Sequence, residues 1–118
     1  MLYAALIYSP ADAPAFTEEQ FGQVLAEYDA YTEALKEAGS WRAGEPLQPT
    51  STATTIRVRQ GNKVITDGPF AETKEWLHGL YFFECESLDE ALEWAAKCPG
   101  AKYGSMEVRP VMEIHARV

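Results

Sequence analysis

The 118-residue sequence predicts an α+β domain with a ferredoxin-like antiparallel sheet and two helices on one face of that sheet. Apolar periodicity and turn residues give the order strand, helix, strands, strand, helix, strand. That order lacks the repeated crossovers of a large parallel sheet. A hydrophobic fraction of 47% and this length suit one buried core, so residues 1–118 are predicted to form a single domain.

The first part of the chain predicts a strand followed by a long helix. Leu2 to Tyr8 is apolar at odd and even positions, which indicates a strand covered on both faces. Thr17 opens a capping box, "TEEQ", and Gly39 ends the helix that follows. The apolar residues expected to form its buried stripe are Phe21, Val24, Leu25, Tyr28, Tyr31, Leu35 and Ala38.

A hairpin is predicted in the middle of the chain. The stretch "SWRAGEPLQPT" is interrupted by glycine and proline and allows at most a short strand. Thr54 to Gln60 then alternates apolar with polar residues, and Gly61-Asn62 joins it to "KVITD". Two such runs separated by two turn residues are typical of a β-hairpin.

The second half predicts a strand, a short helix and a last strand. Trp76 to Cys85 is apolar on both parities. Ser87 begins a second capping box, and Pro99-Gly100 is expected to end the helix. The predicted buried stripe of this helix is Leu88, Ala91, Leu92 and Ala95. Ser105 to Val118 is predicted as a strand in which Pro110 marks an edge or a bulge.

Two helices can cover only one face of the sheet. Because the first and fourth predicted strands are apolar on both faces, the uncovered face must carry apolar residues of these strands. They are either the neighbours of opposite parity or the residues Tyr3, Ile7, Trp76, Leu80 and Phe82 themselves. An exposed apolar sheet face favours association, so we expect a homodimer packed sheet to sheet.

Charge and motifs exclude several function classes. A net charge of -8 without a basic cluster disfavours nucleic acid and anionic membranes as partners. The chain has no run of about 20 apolar residues and no export signal, so a cytoplasmic protein is expected, with Cys85 and Cys98 as buried thiols rather than a disulfide. Phosphate-binding glycine loops and metal-ligand spacings are absent from the sequence, and we expect no cofactor and no metal.

The candidate site is the stretch "TDGPFAETK". Asp67, Glu72 and Lys74 lie within eight residues of one another, beside Phe70. Two carboxylates and an ammonium can supply a base, an acid and an anion clamp, and Phe70 could wall an apolar pocket. The structural alternative is that Asp67 closes an Asx-turn ahead of Gly68-Pro69, with Glu72 and Lys74 simply solvated.

Three further residues are candidate ligand contacts. Tyr28 lies three residues from Tyr31 on the first helix and either packs in the core or points its phenol into a pocket. Gln48, in a proline-flanked loop, could hydrogen-bond a ligand. Arg57 could bind a carboxylate of a ligand or of a neighbouring residue.

The segment "DGPFAETKE", with "LQPTSTATTIRVRQGNKVIT" before it and "LDEALEWAAKCPGAKYGSMEVRPV" after it, resembles the DGPF family of YCII-related proteins. The resemblance implies a dimeric α+β-barrel of ferredoxin-like subunits. It also implies either small-molecule chemistry or a regulatory, stress-linked role associated with extracytoplasmic-function sigma factors. The shorter relatives carry a histidine on the first helix paired with an aspartate, whereas this helix reads "AEYDAYTEAL" and has no histidine.

Two functions are therefore predicted from the same residues. In the first, the dimer binds a small molecule near this turn and has a regulatory role, with Tyr28, Gln48, Arg57, Phe70 and Lys74 as ligand contacts. In the second, the protein is a small-molecule enzyme in which Asp67 or Glu72 transfers a proton.

Overall fold

A computed structural model describes residues 1–114 and contains a four-stranded sheet, a separate hairpin and three helices. The strands are β1 (Leu2–Pro10), β2 (Trp41–Pro46), β3 (Thr54–Arg59), β4 (Asn62–Asp67), β5 (Glu75–Glu84) and β6 (Ser105–Pro110). The helices are α1 (Glu18–Glu37), α2 (Leu88–Lys97) and α3 (Pro99–Tyr103), with a 3-10 turn at Thr50–Thr52.

The main sheet has the strand order β2-β5-β1-β6, and every pair in it is antiparallel. Ala5 of β1 pairs with Tyr81 of β5 on one side and with Val108 of β6 on the other. The helices cover one face, on which Ala5, Tyr81 and Phe83 are buried together with α1 residues such as Leu35. The predicted ferredoxin-like α+β fold is confirmed.

The helix boundaries agree with the capping signals. Thr17 caps α1 and accepts a hydrogen bond from the Gln20 N–H, while the Gln20 side chain returns a bond to the Thr17 N–H. Gly39 follows α1 with φ of 77°, a conformation that glycine adopts without strain. Ser87 caps α2 by accepting from the Glu90 N–H, but the Glu90 carboxylate accepts from the Glu86 N–H and not from the Ser87 N–H, so the predicted second capping box forms only in part. Local hydrogen bonding therefore fixes the ends of both helices.

Each helix buries a narrower stripe than predicted. Phe21 and Leu25 of α1 are 53% and 49% exposed, and Leu88 and Leu92 of α2 are 46% and 47% exposed. In both helices these residues lie about 60° and 100° around the axis from a buried one, Val24 in α1 and Ala91 in α2. The apolar sector is therefore wider than the line of contact with the sheet.

The end of α2 and the last strand also differ from prediction. Helix α2 ends at Lys97, and Pro99 begins a third, short helix instead of ending the second. Proline suits a first helical position because its missing N–H would have no partner there. Strand β6 ends at Pro110; the Val111 N–H still donates to the Leu2 carbonyl oxygen at 2.9 Å, and residues 111–114 have no regular structure. Residues 115–118 of the predicted strand lie outside the described residues.

The hairpin is shifted by one residue from the prediction. Arg59 pairs with Asn62, so the two turn residues are Gln60 and Gly61, with φ of 53° and 79°. Two consecutive positive φ values are those of a type I′ turn, which matches the twist of the flanking strands. Asn62 therefore belongs to β4 and not to the turn.

Three phenols lie in or beside the core between α1 and the sheet. Tyr31 donates to the Trp94 carbonyl oxygen at 2.7 Å, and the Tyr81 and Thr32 hydroxyls are 3.0 Å apart. Burial raises the pKa of Tyr28, Tyr31 and Tyr81 above the ordinary value of a phenol. Cys85 and Cys98 are free and buried, as predicted, and burial also raises the pKa of both thiols.

We expect the free energy of unfolding to fall as the pH rises above about 10. In the unfolded chain these phenols lose their protons near that pH, whereas in the folded chain they keep them. The contribution of these protonated phenols to the free energy of unfolding is therefore fully present below about pH 10 and decreases above it. Urea unfolding between about pH 8 and 11.5 measures the slope, and Tyr31→Phe should make it shallower. An identical slope in that variant would contradict the assignment.

Candidate functional site

A cleft of about 390 Å³ lies at the end of the main sheet where β1 ends and β5 and β6 begin. Its walls come from these strands and from the segment that leads into β5. The lining residues are Tyr8, Thr73, Lys74, Glu75, Ser105, Met106 and Glu107. We call it the sheet-end cleft.

The strand register brings the polar groups of this cleft together. Tyr8 pairs with Ser105, and Leu6 pairs with Glu107, so Tyr8, Ser105 and Glu107 share the sheet face that the helices leave uncovered. A bulge between Ile7 and Tyr8 interrupts the pairing of β1 with β5 at the same place. Bulges commonly redirect a side chain at the end of a strand. The cleft therefore opens toward the uncovered face.

Lys74 is held at the cleft by its own backbone. The Ala11 N–H donates to the Lys74 carbonyl oxygen at 2.8 Å, which ties the segment to the end of β1. The neighbouring Thr73 hydroxyl donates to the Glu75 carbonyl oxygen. The Lys74 side chain remains exposed, as do the carboxylates of Glu75 and Glu107. The site thus offers one cation, two carboxylates and three hydroxyls around a common space, and the Thr73 hydroxyl already donates to the backbone.

The DGPF turn, Asp67 to Phe70, is stabilised by backbone and hydroxyl groups. Gly68 has φ of 100°, and its N–H donates to the Ala53 carbonyl oxygen at 2.7 Å. The Thr55 hydroxyl donates to the Gly68 carbonyl oxygen at 2.8 Å. None of these bonds involves the Asp67 carboxylate, which is exposed. Phe70 is 76% exposed.

The structure brings one of the predicted site residues into the cleft. Lys74 lines it, whereas the exposed Asp67, Phe70 and Glu72 do not. Arg57 donates to the Phe70 carbonyl oxygen at 3.3 Å and so fastens the turn to β3.

The remaining candidates lie apart from the cleft. Gln48 is exposed in the loop after β2. Tyr28 lies on the helix side of the sheet: a Cβ at Gly100 would be 2.8 Å from its hydroxyl oxygen and 3.6 Å from the Met106 sulfur. Tyr31 is buried in the core. Tyr28 therefore lies beside Gly100 and the Met106 side chain on the helix side and does not line the cleft.

Sequence reasoning missed Tyr8, Ser105 and Glu107. Each stands at the end of a predicted strand and none belongs to a local motif, so only the pairing of β1 with β6 unites them. One signal was available: Glu107 is a charged residue between the apolar Met106 and Val108 and therefore points to the uncovered face.

A second, smaller cavity of about 270 Å³ lies between the loop before α1 and α3. Phe16 and Tyr103 meet there edge to face, with ring centroids 5.3 Å apart. No acidic or basic side chain lines it, so it offers less chemistry than the sheet-end cleft.

Within residues 1–114, no cluster of three His, Cys, Asp or Glu side chains is arranged to hold a metal ion. None of the helices described is long and apolar enough to cross a membrane.

Comparison with known proteins gives a family and a fold. The sequence model of the YCII-related domain matches residues 1–115. An uncharacterized protein of Rhizobium meliloti (strain 1021) is 41% identical over 114 residues, which cover 94% of this chain and 92% of that protein.

A solved structure shares the fold. It is 5-chloro-2-hydroxyhydroquinone dehydrochlorinase from Burkholderia phenoliruptrix AC1100, in complex with 2,5-dihydroxybenzoquinone. The TM-score is 0.56 and the identity 18%, over 98% of each chain. At this identity the similarity is one of fold alone.

Proposed function

Because the chain belongs to the YCII-related domain family, we propose that it binds a small oxygenated organic anion in the sheet-end cleft. One observation carries the proposal. Lys74, in the segment "DGPFAETKE", shares a cleft of about 390 Å³ with the hydroxyl-bearing residues Tyr8 and Ser105. This volume is at the lower end of the range for small-molecule sites and suits a compound of one ring.

The lining residues define the chemistry of the ligand. The Lys74 ammonium would bind one anionic oxygen, and the Ser105 and Tyr8 hydroxyls would bind further oxygens. The Tyr8 ring provides apolar surface for a ring, whereas the Met106 side chain packs against the core on the helix side. Glu75 and Glu107 disfavour a second negative charge and could accept a proton from a hydroxyl. A monoanionic phenol, enol or hydroxyquinone meets these requirements.

We expect 2,5-dihydroxybenzoquinone, the ligand in the structural neighbour, to bind this protein as a first probe, titrated at a pH low enough to keep its second hydroxyl protonated so that it carries one negative charge. Titration calorimetry should give an affinity that Lys74→Met weakens by about tenfold to a hundredfold, the value of a lost charge-assisted hydrogen bond. Lys97→Met removes an exposed lysine at the end of α2, on the helix side and outside the cleft, and should leave the affinity unchanged.

Three outcomes of this titration are informative. An equal loss of affinity in both lysine variants would mean that only the net charge of the protein matters, and it would contradict the proposed site. Weak binding of this probe with tighter binding of monohydroxybenzoates, still dependent on Lys74, would keep the site and change the ligand. Absence of binding across such a panel would overturn the proposal.

A regulatory, stress-linked role of the bound protein is part of this proposal, together with a functional link to an extracytoplasmic-function sigma factor. It rests on the resemblance of the segment around the DGPF turn to the DGPF family.

The alternative is an enzyme that uses Asp67 or Glu72 as acid or base. One observation favours it: the hydrogen bonds of the turn do not use the Asp67 carboxylate. Turnover of the bound compound that Asp67→Asn abolishes would establish the enzyme.

We propose a homodimer that packs through the uncovered face of the main sheet. Apolar residues of β1 and β5 line this face, namely Leu2, Ala4, Leu6, Leu80 and Phe82. Burying them against a second copy removes apolar surface from water. Because the sheet-end cleft opens toward the same face, the second copy would border the ligand.

A further inference from the structure

The hairpin of β3 and β4, Thr54 to Asp67, stands apart from the rest of the fold, and we call it the arm. Its two strands form their own sheet, and no third strand of residues 1–114 pairs with them. All six residues of β4 are exposed. The Cα radius of gyration is 16.4 Å, against about 13.5 Å for a compact chain of this length. The arm therefore projects from the domain.

One face of the arm is covered and the other is bare. On the covered face, Thr55 and Arg57 are half-buried and hydrogen-bond the DGPF turn. On the bare face, Ile56 pairs directly with Ile65, and Val58 follows two residues after Ile56. These three side chains are 59%, 65% and 60% exposed, respectively. The bare face is thus an aliphatic patch in contact with solvent, with Lys63 beside Val58 at its outer end.

An isolated arm of this kind is not stable by itself. Two-stranded hairpins are marginal in water and usually need a third strand or a packed face. β-branched residues at Ile56, Val58 and Ile65 suit a surface that packs against other side chains. The bare face therefore requires a covering surface.

Charge indicates what covers it. The arm contains three of the ten basic residues, Arg57, Arg59 and Lys63, and one of the eighteen acidic ones, Asp67. The rest of the chain holds seventeen acidic residues against seven basic ones. A basic arm on an acidic domain is electrostatically complementary to a second copy of the same domain.

We propose that the arm packs its bare face, Ile56, Val58 and Ile65, against a second copy of this chain. Twofold symmetry then lets each copy give an arm and receive one. The proposal rests on the homodimer proposed above and adds a contact that the sheet face alone does not provide. It also assigns a function to the insertion between β2 and β5.

The test compares the same new charge on the two faces of the arm. Ile65→Lys places a lysine on the bare face, and Thr66→Lys places one at the next residue, on the opposite face. Both positions are exposed, so the fold of the single chain should tolerate either change. Analytical ultracentrifugation should show self-association weakened about tenfold or more by Ile65→Lys, and much less by Thr66→Lys. Raising the salt concentration should also weaken the wild-type dimer.

A photoreactive phenylalanine in place of Ile65 reports the contact directly. Irradiation should yield covalent dimers, whereas the same residue in place of the exposed Glu37, at the end of α1, should yield few. A wild-type dimer with no covalent product from position 65 and equal effects of the two lysines would overturn the arm contact and leave the sheet-face dimer intact. A monomeric wild type would overturn both.

Discussion

Replacing Phe83 with alanine should lower the free energy of unfolding by about 3–5 kcal/mol. Phe83 is fully buried at the centre of the core, and its ring stacks on Tyr81 with centroids 6.0 Å apart. The substitution removes a large apolar side chain and leaves a cavity that neighbouring strands cannot fill. A domain of this size has only about 5–15 kcal/mol of total stability, so the variant should be close to unfolding at 37 °C.

Phe70→Ala provides the matched control for this substitution. The same side chain is removed, but Phe70 is 76% exposed, so we expect a change within about 0.5 kcal/mol. Urea unfolding followed by circular dichroism measures both variants. Equal losses of stability would mean that Phe70 is buried in solution, as a second copy packed over the turn could cause.

Gly104→Ala should be the second strongly destabilising substitution, by about 3 kcal/mol. Gly104 joins α3 to β6, and a Cβ there would overlap the Tyr8 carbonyl oxygen and lie 3.0 Å from the Ser9 Cα. Both atoms belong to the backbone of β1 and cannot rotate away. The start of β6 would have to move off β1, which would also widen the sheet-end cleft between Tyr8 and Ser105.

Gly22→Ala is the control, because it makes the identical change where space is available. Gly22 lies exposed within α1, and a Cβ there meets no atom within 4 Å. Alanine favours the helix, so we expect a gain of about 0.5–1 kcal/mol. The midpoint of thermal unfolding should therefore move in opposite directions for the two variants, and a gain or no change for Gly104→Ala would contradict the packing described at Gly104.

The fold could be predicted because its signals are local. Capping boxes at Thr17 and Ser87 and the apolar strands from Leu2 and Trp76 determine the element order, and few topologies suit that order. The width of the contact between each helix and the sheet could not be predicted. Leu88 and Leu92 are as apolar as buried residues, and only the way α2 packs on the sheet leaves them exposed. The projection of the arm likewise depends on how β2 and β5 leave the sheet.

The candidate site was predictable only in part, for a related reason. Lys74 belongs to a dense local motif and was identified from it. Tyr8 and Glu107 are about a hundred residues apart in sequence and meet only through the register of β1 with β6. Asp67, Phe70 and Glu72 are predicted from their proximity in sequence, but the structure leaves all three exposed and outside the cleft.

The position of β1 at the centre of the sheet determines when the chain can fold. Strand β1 pairs Leu2 with Glu84 and Tyr3 with Pro110, so its partners follow it in the sequence by 82 and 107 residues. Such long-range pairings make folding slow, in the range of milliseconds to seconds. During synthesis, the apolar Leu2 to Tyr8 segment therefore stays unpaired until both partner strands have been made, and an unpaired apolar strand is prone to aggregate.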